Sequence, residues 1–528
     1  MSRLKHLPLL LAAVLTLPAL GAGLLMDDHW FLQVLADPTQ DPLKELFVFT
    51  RPEAVPLYWT MAPDLQLAFF RPLAAATHWL DYQLSHSVPL WHLQSWGWLL
   101  AAVGAATALY RRVDPGVTGL IAALLFAVED AHAFPVAWLA NRNALMSLAF
   151  GLWGLVLHQG GRRKLALLPL AACLLSAEAG LAAFAYVAAM EWRRPQRLLP
   201  HVALIAVWRL VYVSMDYGAV GSGAYVDPSS AAFAVALVER LPVHVLVQFL
   251  HFPGELWGLA DAGPRQVVSA LGWLYLLGLI ALVLPLVRKD EVARMWALGT
   301  MGALVPVCAV LPMDRVEVWV GVGSFGLLSR LPSVFAELSA MRKLKLGFLL
   351  LLHGPWAALL LPLRILGVPL LEDFIQQPVE DLDFASDEVV VFVTGNDLTS
   401  AYLTGLRHSA GQEGPLRVHQ LGSASLGAEV LRYDESTLIV QTPPLMTKPM
   451  EQVTRSAPWT LGEEVRTADF RAQVVEVDPQ GYATRIAFTF DQPLESYTLL
   501  AFDQGRRVPF EPQVGDFVTL KPGVPGME

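Results

Sequence analysis

The chain reads as a mainly α-helical, polytopic membrane protein of about ten or eleven spans, with a small, mainly β soluble domain at its C-terminal end. Three observations predict this. Hydrophobic residues make up 55% of the 528 residues and charged ones only 16%, with a mean hydropathy of +0.46 and 16 tryptophans, a composition unlike that of a cytosolic globular domain. Apolar runs approaching the length needed to cross a bilayer, about 20 residues, recur throughout the first 370 residues. From about Glu372, β-branched alternation bounded by Gly, Pro and Asp takes over. The chain therefore divides into a membrane domain, 1–370, and a β domain, 371–528.

The first apolar run, Leu7 to Met26, ends abruptly in Asp27-Asp28-His29-Trp30. Helices are expected near 90–110, 116–131, 141–159, 198–215, 266–287, 295–312 and 346–368. Segment 165–190 reads as one long helix or two short ones broken near Ser176-Ala177-Glu178. Segment 317–336 is rich in Gly, which weakens an isolated helix but suits close packing in a membrane. Segment 231–258 is apolar yet carries Glu239, Arg240, His244, His251 and Glu255, and reads as interfacial or re-entrant. Beyond it, Glu388–Thr394, Leu426–Gln441, Ala472–Val477, Ala483–Phe490 and Tyr497–Phe502 read as strands, and Thr399–Ser409 as one helix.

Orientation follows from Lys and Arg. The clusters Arg3 and Lys5, Arg111 and Arg112, Arg162 to Lys164, Arg193, Arg194 and Arg197, Arg288 and Lys289, and Arg342, Lys343 and Lys345 alternate between spans and are assigned to the cytoplasm. The loop from Asp27 to about Ser87, Glu129 to Phe134, the vicinity of Glu178, Asp314-Arg315 and everything after about Gly367 then lie outside. A full crossing by 231–258 would invert the parity of later segments, which is why we read it as re-entrant. The basic start, apolar run and Ala-Leu-Gly-Ala also fit a cleaved signal peptide. The many spans that follow favour a retained helix, and either way Asp27 and Asp28 emerge on the outer side.

A formal net charge of -10 and the lack of a long basic tract argue against a nucleic-acid partner. Both cysteines, Cys173 and Cys308, lie in apolar stretches, which removes a disulfide framework and a Cys-based zinc site. The paired acid at the mouth of the first span is chemically costly, and so marks a functional site at the membrane face. Its plain alternative is a solvated helix exit. Arg142 stands early in an apolar helix and needs a partner, a phosphate or a carboxylate such as Glu178. His132, beside Glu129 and Asp130, reads as part of an outer turn. His244, Gln248, His251 and Glu255 recur at helical spacing; a polar face of an interfacial helix explains such a stripe more simply than a metal site.

The order of short motifs carries a resemblance. The acidic pair is followed by Phe70-Arg71-Pro72-Leu73 with Trp79-Leu80-Asp81-Tyr82. Next come His132, Val136-Ala137-Trp138-Leu139 and Asn141-Arg142-Asn143-Ala144-Leu145. Glu178 follows, with Ala177 where a Lys is often found, and then Asp314-Arg315-Val316-Glu317-Val318-Trp319 with Gly321 and Gly323. This series resembles the GT-C superfamily of polytopic glycosyltransferases, in the protein O-mannosyltransferase branch that includes the transmembrane TPR-containing mannosyltransferases.

The resemblance implies transfer of a sugar from a polyprenyl-phosphate carrier to a protein, lipid or polysaccharide acceptor on the non-cytoplasmic side. Such chemistry needs a base and groups that hold the departing phosphate. Asp28 or Asp27 is the candidate base. Arg71, His132, Arg142, Glu178 and Arg315 are candidates for binding donor phosphate or acceptor, with Arg315 the better one for the carrier phosphate. No cofactor is assigned. A divalent metal bridging Asp27, Asp28 or His29 fits the residue types, but no ligand spacing marks one, so no metal ligand is named. Membrane lipids are the expected surroundings, in a bacterial plasma membrane with the C-terminal domain extracytoplasmic. Two other readings stand beside the enzyme: a transport or lipid-handling protein with Arg142 and Glu178 on a substrate pathway, and a non-catalytic assembly protein.

Overall fold

The computed structural model describes residues 6–332 and 339–525. Arg3, Lys5 and the last residues of the predicted segment 317–336 lie outside the described residues. The protein is a multi-pass, mostly helical membrane protein with a C-terminal β-sheet domain. Helices Pro195–Ser214, Ala232–Leu250, Ala262–Lys289 and Ala340–Val379 are long and apolar enough to cross a membrane, and Val117–Val128 with Asp130–Ala137 adds a pair bent by 44°. Segments 90–110 and 141–159 are unbroken helices, Val88–Val113 and Arg142–Gln159, while others are short or interrupted. Run 7–26 is a helix Leu7–Leu15 and a 3₁₀ turn Leu17–Gly21, ended by Gly23 at φ +80. Segment 165–190 is two helices, Arg163–Ser176 and Leu181–Met190, parted near Glu178.

The break after Gly23 changes the setting of the acidic pair. Asp27 and Asp28 open a new helix, Asp27–Ala36, rather than close the first one. There the partial positive charge of a helix N-terminus favours carboxylates, the opposite of the helix-exit setting expected from sequence.

Small residues draw the interior helices together. Gly323 and Gly326 of helix Val318–Leu328 press on Thr300 and Trp296 of helix Glu291–Val307, leaving no room for a Cβ. This is the close packing that the Gly-rich stretch predicted. Basic loops also gather. Arg112 donates to the Val156 carbonyl at 2.9 Å, Arg163 and Arg197 grip Glu191 at 2.8 and 3.2 Å, and Arg330 bridges Asp114 and Asp290. Segment 231–258 contains a helix of span length, yet both its flanks return to the β domain. Gly223 N–H donates to Gln452 at 2.8 Å and Met450 N–H to Gly258 at 3.0 Å.

The β domain has two sheets. Strand Val389–Gly395 lies between Arg417–Ser423 and Thr498–Asp503, parallel to both, with Arg506–Pro509 at the edge. Helix Asp397–Ser409 makes the crossover between the first two strands. The second sheet is antiparallel, in the order Phe517–Leu520, Ala428–Arg432, Thr437–Gln441, Ala483–Phe490, Phe470–Val477, Glu464–Arg466. The predicted strand Leu426–Gln441 is a hairpin of two strands, and Arg417–Ser423, with His419 and Gln420, was too polar to be recognised.

The loop before Arg71 is stitched into this domain. Trp59 is 2% exposed, lies 5.2 Å from the ring of Trp459 and 5.4 Å from that of Phe488, and donates Nε1–H to the Leu421 carbonyl at 3.2 Å. Loss of a buried Trp costs about 3–5 kcal/mol in transfer and cavity terms. Trp59→Ala is therefore expected to lower the thermal unfolding midpoint of the β domain and to open the 51–66 loop to limited proteolysis; an unchanged melt and digestion pattern would refute the anchoring role.

Candidate functional site

A cavity of about 1860 Å³ lies where the membrane helices, the 47–71 loop and the β domain meet. Asp27, Arg71, Glu178 and Arg315 line it, whereas Asp28, His132 and Arg142 do not. Four of the seven candidate residues are thus brought to one space.

Asp27 and Asp28 diverge because neighbours on a helix point about 100° apart. Asp28 is 2% exposed and each of its oxygens accepts a backbone N–H, from Leu25 at 3.0 Å and from Ala140 at 2.7 Å. Burial pushes its carboxyl well up, against those two bonds. It fastens the chain reversal to the 138–141 turn, and both of its oxygens are occupied. Asp27 faces the cavity and accepts the Tyr402 hydroxyl at 2.6 Å. Burial raises its carboxyl, and Tyr402, Arg315 and Arg71, in that order, draw it back.

His29 turns away, with Nε2 2.8 Å from Glu372 and Nδ1 2.5 Å from Ser409. Among the described residues Asp27, Asp28 and His29 form no common metal cluster, so the bridging ion considered from sequence has no donor set there.

The cations differ in how they are held. Arg71 donates Nε–H to Glu178 at 2.8 Å and stacks over Phe69, 4.5 Å from its ring centre. Arg315 lies 4.8 Å from the Trp138 ring centre with Nε 3.4 Å from the Met313 sulfur, and no described carboxylate pairs with its guanidinium. Trp138 is fixed by donating to the Leu25 carbonyl at 2.9 Å. Arg315 is accordingly a cation supported by a π face and left open to the cavity.

Arg142 has the carboxylate it required, but the partner is Asp81 at 2.5 Å, not Glu178. Ser95, Gln94 and the Trp91 carbonyl complete its shell, and it is 0% exposed. His132 is 1% exposed with Nε2 3.0 Å from the Phe126 carbonyl. It belongs to a buried break between helices rather than to a solvated turn. Neither residue lines the cavity. The polar stripe on 231–258 is likewise divided: His244 lies 2.5 Å from Glu317, Gln248 and His251 turn towards Glu129 and Asp130, and Glu255 reaches the cavity rim.

Other groups at the cavity had no sequence signal. Tyr402 comes from helix Asp397–Ser409, 375 residues from its partner Asp27. Arg209 and Asp227 pair at 2.8 Å on another wall, and Asp397 is bonded by Gln420. Trp30, Trp208 and Trp319 give the lining broad apolar faces.

No protein-family model and no curated protein matches the chain. Solved structures that it resembles include the archaeal oligosaccharyltransferase AglB from Archaeoglobus fulgidus in complex with an inhibitory peptide and a dolichol-phosphate, at 12% identity and a TM-score of 0.37. The oligosaccharyltransferase of the same organism in its apo form gives 13% and 0.42, and the form tethered to an acceptor peptide gives 12% and 0.37. The likeness covers 79% of this chain and 64% to 65% of theirs. None of these three is a mannosyltransferase of the branch that the motifs resemble, and a likeness at this level assigns no activity, substrate or partner.

The two aspartates should separate in a stability measurement. Asp28→Asn offers one acceptor where two N–H groups need one each, at a cost of about 1–3 kcal/mol. Asp27→Asn removes a half-buried charge while keeping an acceptor for Tyr402, and is expected to melt at the wild-type temperature or above it. Equal destabilisation by both variants would contradict the divided roles.

Proposed function

We propose that this protein is an integral membrane glycosyltransferase that moves a sugar from a polyprenyl-phosphate donor to an acceptor inside the cavity. The observation that carries this reading is the convergence of one half-buried carboxylate, Asp27, with a guanidinium, Arg315, that pairs with no carboxylate among the described residues, across a mostly apolar space at the junction of the two domains. A base and a phosphate-holding cation are the two groups that the reaction requires. The volume exceeds the roughly 300–1,000 Å³ usual for small-molecule sites, in keeping with a substrate that carries a lipid chain. Leu181, Ile205, Val307 and Val310 supply an apolar wall for such a chain, and Trp30 and Trp208 supply faces for a sugar ring.

In the proposed step, Asp27 takes the proton of the acceptor nucleophile as the new bond to the anomeric carbon forms on one side. The bond from that carbon to the phosphate oxygen breaks on the other, which inverts the configuration. The polyprenyl phosphate leaves with both electrons of that bond, and Arg315 steadies the charge it gains. Arg71, already neutralised by Glu178, acts by position: it shapes the wall beside Asp27 and lends it a smaller electrostatic stabilisation. With the basic loops cytoplasmic, the β-domain face is extracytoplasmic, and the setting is a bacterial plasma membrane. The β domain completes the cavity floor, where a protein, lipid or polysaccharide acceptor would be received. Of the two residues that the transport reading puts on a substrate pathway, Glu178 lines the cavity while Arg142 is enclosed by Asp81, Ser95 and Trp91 away from it.

Purified full-length protein supplied with labelled polyprenyl-phosphate sugars and membrane acceptor extract should transfer label. Asp27→Asn should reduce transfer by about 10²–10⁴-fold, the usual worth of a positioned base, with expression unchanged. Equal transfer by both proteins removes Asp27 as the base, and absence of transfer from any donor favours the assembly role.

The pH profile gives a second check. Burial raises the Asp27 carboxyl, so the basic form and activity should fall away on the acid side at a pH above the usual carboxylate range. Tyr402 donates to the charged form. Tyr402→Phe should therefore raise that carboxyl further and move the acid limb of kcat/KM to higher pH; an unmoved limb would count against Asp27 as the titrating group.

A further inference from the structure

Glu129, His251 and His353 meet from three separate elements. Glu129 occupies the break of the bent helix pair. His251 ends helix Ala232–Leu250 in the left-handed conformation, at φ 52. His353 projects from a π-helical turn, Leu352–Trp356, that interrupts the last long span; such turns re-aim side chains and recur at functional sites. One ligand atom from each lies within 4.8 Å of the other two. Their side chains are 6% exposed or less.

Hydrogen bonding alone leaves this cluster badly served. His251 Nδ1 lies 2.9 Å from Asp130 Oδ1, which places the proton of the neutral ring on Nδ1 and a lone pair on Nε2. That lone pair faces His353 Nδ1 at 3.3 Å, and the same His353 nitrogen faces Glu129 Oε2 at 3.4 Å. A single ring nitrogen carries at most one proton and cannot satisfy both acceptors. Both separations also exceed the usual hydrogen-bond range of about 2.7–3.2 Å. They match the edge of a tetrahedron around an ion bonded at about 2.0–2.1 Å, which is about 3.3 Å.

Charge points the same way. Glu129, Asp130 and Asp314 are three neighbouring carboxylates, and among the described residues they have one guanidinium, Arg364, 3.1 Å from Asp130 and also paired with Asp314. A divalent cation at Glu129 would balance the group. Two imidazoles and one carboxylate suit a borderline transition ion rather than Mg²⁺ or Ca²⁺, which take oxygen ligands.

We propose that Glu129, His251 and His353 hold a divalent transition ion of the zinc class, with Asp130 orienting His251, and that the ion clamps the segment 223–258 to the last long span. None of the three ligands lines the cavity. The connection to it runs through Asp130, Arg364 and Asp314 to Arg315, the next residue along the chain. The ion's role is thus to hold position.

The test is metal content, which is independent of sugar transfer and so fails or succeeds apart from the proposed enzymatic activity. Full-length protein in detergent, incubated with Zn²⁺ and freed of excess by gel filtration, should retain about one equivalent by mass spectrometry. His251→Gln and His353→Gln should retain about none, while Asp27→Asn keeps the full amount. Replacement by Co²⁺ in wild type should give the intense visible absorption of a tetrahedral ion and a rise in melting temperature, which needs no variant to fold. Wild type that retains no zinc and shows no cobalt spectrum, or both His variants retaining zinc as wild type does, would overturn the proposal.

Discussion

The packing of helix Asp27–Ala36 on helix Asp397–Ser409 is the contact on which the site depends. It joins the first turn after the initial apolar run to a helix of the β domain. Gly405 permits the approach: a Cβ there would lie 3.0 Å from the His29 Cβ. At that distance Tyr402 reaches Asp27, and His29 is held between Glu372 and Ser409. A Cβ at Gly405 would require the two helices to give by a few tenths of an ångström beside the Tyr402–Asp27 bond. The β domain is therefore one wall of the cavity rather than an appendage to the membrane part.

Buried charge is distributed around that seam with few loose ends. Arg142 has Asp81, Arg71 has Glu178, and Asp28 has two backbone N–H groups. Each pairing offsets a desolvation cost of several kcal/mol per ion that an isolated group would impose. Against this background Arg315 stands out, since its support is the ring of Trp138 and a sulfur rather than a carboxylate. A half-buried cation that pairs with no carboxylate among the described residues is a feature that an anionic ligand would complete, and here it shares the cavity with the one aspartate of the pair that is not consumed by backbone bonds.

Much of the architecture was legible in the sequence because bilayer crossing and strand alternation leave strong one-dimensional patterns. The long apolar runs and most of the strands of the second sheet follow from them, while the last long helix runs on through Glu372 to Gln376. Strand Arg417–Ser423 was not legible because it is polar and its strand character comes from parallel pairing with Val389–Gly395. The paired acids stand out in the sequence as costly. The choice between them was not available, since it turns on a chain reversal at Gly23 that rotates Asp28 into the 138–141 turn and Asp27 into the cavity. Arg142 and His132 show the same limit: burial demanded partners, but whether those would be protein groups or a ligand depended on Asp81 and on the Phe126 carbonyl.

By itself, then, the sequence determined that this chain is a membrane protein with a β domain behind it, and which charged residues are too expensive to be incidental. Hydrophobic length and alternation are local properties, written residue by residue. Which of those charges share a space was decided by the tertiary structure alone. Asp27 and Tyr402 stand 375 positions apart, and Glu129 and His353 stand 224 apart. Contacts of that separation are fixed by how the helices and sheets pack, and no local pattern in the chain encodes them.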